Sequence, residues 1–160
     1  MSQDIFLKLA GISGESQDAS HKDEIEILRW DWSISQQSSM HSGSGGGAGK
    51  ATVSDLNFDH YVDRASPNLM KYCLTGKHID TATLVVRKAG DSPLEFLKLT
   101  IGDVIVTRVT PMLTDTMARA REGVSLSFAR VKQEYVMQNQ QGGSGGTVTA
   151  SFDIQQNREA

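Results

Sequence analysis

Alternation between apolar and polar residues is the main pattern along this chain. Val124, Leu126 and Phe128 alternate with Ser125, Ser127 and Ala129, and Ala82, Leu84 and Val86 alternate with Thr81, Thr83, Val85 and Arg87. A period of two is the mark of a strand with one dry and one wet face. Similar runs occupy Asp4–Leu9, Ile25–Ile34, Ala51–Val62 and Leu94–Val109, and a last one is expected to turn Val148, Ala150, Phe152 and Ile154 inward. Dry-and-wet strands joined by turns belong to antiparallel sheets, so the pattern predicts an antiparallel barrel or sandwich. Two phase slips interrupt it. Ile25 and Ile27 lie on one phase and Leu28, Trp30, Trp32 and Ile34 on the other, which predicts a bulge near Leu28. Leu97, Leu99 and Ile101 give way to Val104 and Val106, which predicts another across Gly102–Val104.

One stretch breaks the period. In Tyr61–Ile79, Ser66 is placed as an N-cap, Pro67 falls at the first helical position and Gly76 can end a helix in the left-handed conformation. Leu69, Met70, Cys73 and Leu74 form one apolar stripe. The pattern predicts one short helix over about residues 66–76, held by packing on the sheets because so short a helix is not stable alone. A further helical turn is expected within Thr114–Arg121, in the connection from Pro111 to Gly123.

Composition narrows the class. At 160 residues, with 38% hydrophobic and 22% charged, the chain is expected to form one globular domain over 1–160. A net charge of −3 argues against a nucleic-acid partner. One cysteine cannot form an internal disulfide. No run is long and apolar enough for a membrane-spanning helix, and the start lacks the basic region of a Sec signal peptide. Glycine-rich segments near 42–49 and 142–146 read as flexible loops. The first of them, Ser42–Lys50, resembles a phosphate loop only superficially. Ser44 stands in place of its first glycine, Ala51 in place of its hydroxyl residue, and the following residues are strand-like rather than helical.

A search for chemistry finds little. His21, His41, His60 and His78 are far apart and read as loop or element-end residues, with no metal-ligand spacing. Cys73 reads as a small core residue, and no nucleophile elbow is present. The expectation is therefore no catalytic residue, no metal and no cofactor. The wet face of the Leu28–Ile34 strand carries Arg29, Asp31 and Ser33, and Trp30 and Trp32 share the dry phase with Leu28 and Ile34. A monomeric ligand- or carbohydrate-binding module, with the two tryptophans as a stacking platform, is the alternative to a structural protein.

The segments GKATVSDLNFDHYVDRASPNLMKYCLTGKHI, ATLVVRKAG, LEFLKLTIGDVIV and VSLSFARVKQEY, with the SMHSGSGGGAGK loop and the amino-terminal GESQDASHKDEIEILRWDWSISQ, resemble the haemolysin-coregulated proteins (Hcp) of type VI secretion. The resemblance implies a mainly β fold, an antiparallel β-barrel of two sheets with the helix on its flank. It further implies a homo-hexameric ring, stacked into the inner tube of a contractile injector, that carries effector proteins in its channel. The implied partners are the contractile sheath, the spike trimer and the baseplate. Such a protein resides in the bacterial cytoplasm before firing and is then secreted without a Sec signal. The chain ends just past its last strand, so the plain structural form without a fused toxin is expected. Two assignments follow. Arg29, Asp31 and Ser33 face either the channel or the outside, and the resemblance favours the channel. The long loop of Ser42, Gly43, Ser44, Gly45, Gly46, Gly47, Ala48, Gly49 and Lys50 is the candidate for stacking one ring on the next.

Overall fold

The computed structural model describes residues 3–38, 50–90, 93–113, 116 and 118–160. It is mainly antiparallel β with one short helix. The strands are β1 (Gln3–Leu9), β2 (Ile25–Glu26), β3 (Arg29–Asp31), β4 (Ile34–Ser35), β5 (Thr52–Val53), β6 (Leu56–Tyr61), β7 (Ile79–Lys88), β8 (Leu94–Met112), β9 (Arg121–Ser127), β10 (Arg130–Gln138), β11 (Ser144–Asp153) and β12 (Arg158–Glu159). The helix α1 spans Ser66–Thr75, between β6 and β7.

The 19-residue strand β8 belongs to two sheets. Its first half lies between β7 and β10 in a sheet ordered β12-β11-β10-β8-β7-β1-β2. Its second half pairs with β9, which continues through β6 to β3. The change of sheet falls where the alternation slips. Asp103 takes a left-handed conformation (φ 51°), so Ile101 is buried before it and Val104 and Val106 after it. A second register shift follows between Val106 and Arg108. The slip near Leu28 has the same meaning, because β2 pairs with β1 whereas β3 pairs with β6. The two sheets are thus joined at β8 and at residues 25–31, without closing into one continuous barrel. Ile25, Ile27, Leu56, Phe58, Leu69, Leu99, Ile101, Val104, Val124 and Leu126 fill the space between them.

Several expectations are corrected. Ser66 is the first helical residue rather than the cap, and no side chain caps the helix from Ala65. The turn is held by Asp63: its carboxylate accepts from the Ala65 N–H (2.9 Å), while the Ser66 hydroxyl accepts from the Asp63 N–H (3.1 Å). The two bonds are reciprocal, as in a capping box, but the Asp63 carboxylate takes the N–H two residues on rather than three. Gly76 does end the helix in the left-handed conformation (φ 67°). Of the proposed stripe only Leu69 is fully buried. Cys73 is half-buried beside Tyr72, and Met70 and Leu74 are exposed.

β8 runs through Pro111 and Met112, and β9 starts at Arg121, so the connection is shorter than expected. Pro111 is tolerated because this half of β8 has a partner on one side only. The expected helical turn falls on a segment in which Thr114, Asp115 and Met117 lie outside the described residues. Residues 142–146 are divided between a hairpin turn and the start of β11. Asn139 closes that turn, its side-chain oxygen accepting from the N–H groups of Gln141 (3.0 Å) and Gly143 (2.8 Å).

Candidate functional site: a polar wall and an uncovered apolar hairpin

The second sheet turns one face to the core and the other to solvent. Along β6, Leu56, Phe58 and His60 point inward, so Asn57 and Asp59 point out. On the outer face Arg29 pairs with Asp31 and lies 3.5 Å from Asp59. The Asn57 amide donates to Asp31 (3.0 Å), and the Ser125 hydroxyl donates to Asn57 Oδ1 (2.6 Å). The bond from Asn57, with the help of Arg29, holds the Asp31 carboxyl below its usual pKa. Asp31, followed by Asp59, raises that of the Arg29 guanidinium. These residues, with Arg108, Thr110 and Gly123, line an open groove of about 380 Å³. Its charges satisfy one another, so the surface is polar but offers no strong single-sign patch.

Arg29 and Asp31 therefore stand together on this wall. Ser33 is exposed just beyond β3, and its N–H donates to the Ser54 hydroxyl (2.7 Å). Asn57, Asp59 and Ser125 complete the network and were missed as site residues, although the polar phases of Leu56–Tyr61 and Val124–Phe128 contain them. Of the proposed stacking loop, Ser42, Gly43, Ser44, Gly45, Gly46, Gly47, Ala48 and Gly49 lie outside the described residues; Lys50 is exposed.

A second feature is apolar. β10 pairs with β8 only from Arg130 to Tyr135, so the rest of the β10–β11 hairpin projects beyond the sheet. Tyr135 faces Val148 directly, and Met137 follows two residues on, where the register shifts between Val136 and Gln138. All three are exposed, at 47%, 58% and 43%. Val131 and Phe152 carry this face back to the core. Val148 and Ala150, expected inward, are exposed among the described residues. Ile34, expected in the core with Trp30 and Trp32, is also exposed. It lines an open groove of about 580 Å³ with Trp32, Val131 and Phe152. The two tryptophans are half-buried against the core, Trp32 edge-on to Phe128 at 5.8 Å between ring centres.

The histidines differ most from expectation. His60 lies within β6 and is completely buried, its Nε2 2.9 Å from Oε1 of the equally buried Glu122. His21 bridges Glu24 (2.9 Å) and Glu95 (2.7 Å) and stacks on Phe6. The signal for the first pair was present: His60 continues the Leu56–Phe58 phase and Glu122 the Val124–Leu126 phase. Among the described residues, no group of three or more His, Cys, Asp or Glu side chains is arranged to hold a metal ion.

Residues 6–135 match the family model described as type VI secretion system effector, Hcp. The chain belongs to the Hcp family. Protein hcp1 of Pseudomonas aeruginosa is 43% identical to it over the full length of both chains. The crystal structure of Hcp1 from Salmonella typhimurium is 55% identical, covers both chains completely and superposes with a TM-score of 0.84. Another solved structure, of a type six secretion system protein, reaches a TM-score of 0.94 at 28% identity over 99% of this chain and all of that one. Membership of the Hcp family places the polar wall and the uncovered hairpin in a type VI secretion protein. Among the described residues of this Hcp-family chain, no helix is long and apolar enough to cross a membrane.

Proposed function

We propose that this Hcp-family chain is a structural, non-enzymatic subunit of the type VI inner tube, assembling as hexameric rings that stack and carry effectors in their channel. The observation that carries the reading is the apolar pair of Tyr135 and Val148, with Met137 beside it, all left exposed among the described residues. A monomer gains nothing from such a face, whereas a second copy would bury it, and repetition of one head-to-tail contact closes a ring. The polar wall of Arg29, Asp31 and their neighbours is the surface assigned to the channel. Its self-satisfied charges suit passage of varied proteins better than tight capture of one. Ser42–Lys50 is the segment assigned to ring stacking. Sheath, spike trimer, baseplate and effectors are the proposed partners, with neither nucleic acid nor membrane insertion. The protein waits in the bacterial cytoplasm and leaves through the apparatus. The single domain over 1–160 is part of the same proposal. Electron microscopy of the purified full-length protein tests it: six-fold rings with an open centre are expected, and compact particles of single-chain size would overturn it.

A further inference from the structure

The buried pair behind the polar wall has no part in that proposal. His60 and Glu122 are direct cross-strand partners in the β6–β9 ladder, next to the outward-facing pair of Asp59 and Gly123. His60 is 0% exposed and Glu122 4%. On its other side, Nδ1 of His60 lies 3.8 Å from Oδ1 of Asp63, within ion-pair reach but too far for a hydrogen bond. That same Asp63 oxygen accepts from the Ala65 N–H at the entry to α1. The imidazole thus sits between two carboxylates, one holding the start of the helix and one in the neighbouring strand. A neutral imidazole carries one N–H and faces only one of them as a donor; the cation faces both.

We propose that His60 is a proton-held latch: a buried imidazolium, set between Glu122 and Asp63, fixes the register of β6 against β9 and ties the α1 entry to the sheet, and loss of one proton loosens both. Register matters here because a slip by one residue would exchange the wall residues Asn57 and Asp59 for Phe58 and His60. Asp63 and Glu122 are the charges that face the ring. The nearby Arg119 and Arg121 guanidinium groups lie over the Tyr61 ring instead, at 4.0 and 5.9 Å. Burial alone would disfavour the charged ring, but the two carboxylates outweigh it and raise its pKa from 6.5 to about 9. The contribution to stability is therefore complete below pH 6.5 and fades as the pH climbs through about 9.

The test uses full-length protein labelled with ¹⁵N-histidine. The His60 ring nitrogens are followed by NMR from pH 6 to 10, alongside amide exchange of α1 and β9. Both nitrogens are expected to carry protons at neutral pH. One proton should leave near pH 9, with α1 and β9 exchange rising together beyond the increase that hydroxide causes at every amide. In Glu122→Gln the ring should lose its proton at least one pH unit lower. In the double variant His60→Leu/Glu122→Leu exchange in α1 should follow hydroxide alone. A singly protonated His60 at pH 7 in the wild type would overturn the latch, as would α1 exchange that ignores its titration. Should either variant fail to fold, these wild-type readings decide alone.

Discussion

Tyr135 and Val148 face each other across the β10–β11 ladder, and among the described residues both are left exposed. Two large apolar side chains paired and exposed where the hairpin leaves the sheet are a poor arrangement for an isolated protein and a good one for an interface centre. Tyr135→Asp and Val148→Asp should therefore block assembly while changing the stability of the chain itself by less than about 1 kcal/mol, as exposed substitutions do. Sedimentation of each variant beside its urea melt separates the two effects. Loss of folding together with assembly would show the face to be part of the chain's own core.

The wall assignment makes a milder prediction. Asp31 is about half exposed and accepts from Asn57 while pairing with Arg29. Removing an exposed pair costs at most about 1 kcal/mol. Asp31→Arg should thus keep the ring and nearly the same thermal midpoint but change which effectors co-purify, since six added cations would line the channel. Unchanged co-purification of every effector would remove Asp31 from the channel surface.

Gly14 offers a stringent check on the loop that crosses the first sheet. A Cβ placed there would come within 2.5 Å of the Glu24 carbonyl oxygen and 2.9 Å of Ile25 Cα. Both are backbone atoms and cannot swing away. Gly14 also donates to the Asp23 carbonyl (2.7 Å) and accepts from Arg64 Nε (2.6 Å). Gly14→Ala should cost about 2 kcal/mol or more in urea unfolding. At Gly143 the nearest atom, in the Asn139 side chain, is 3.4 Å away, so Gly143→Ala should cost less than about 1 kcal/mol.

The alternation located the strands well, and both phase slips proved to be places where the chain passes from one sheet to the other. Residue type misled the reading elsewhere. His60 reads as a loop or element-end residue, although it and Glu122 each continue an apolar phase; only their pairing makes burial tolerable, and pairing across 62 positions is invisible locally. Ser66, expected as the cap, is the first helical residue, and its hydroxyl accepts from the Asp63 N–H in the turn before the helix. Val148, Ala150 and Ile34 are the instructive failures. Periodicity shows that a face is apolar but not whether its own chain or another covers it. The wall was half legible: Arg29 and Asp31 lie together in sequence, while Asn57, Asp59 and Ser125 join them only through strand pairing.

Breaking the buried pair one partner at a time should be far worse than removing it whole. His60→Leu leaves Glu122 as a sealed, unpaired carboxylate, and each single replacement should cost about 3–5 kcal/mol at pH 7. The double His60→Leu/Glu122→Leu should be less damaging than either single change. Additive costs in a double-mutant cycle would mean that the two residues act separately.

The central claim is that copies of this chain assemble into a closed ring. Light scattering coupled to size exclusion, on wild-type protein at micromolar concentration, measures it most directly. For a 17.4 kDa chain, the account predicts one species of roughly 100 kDa that persists on dilution, as a six-membered ring requires. A single peak at the mass of one chain, or a ring of another order, would contradict it.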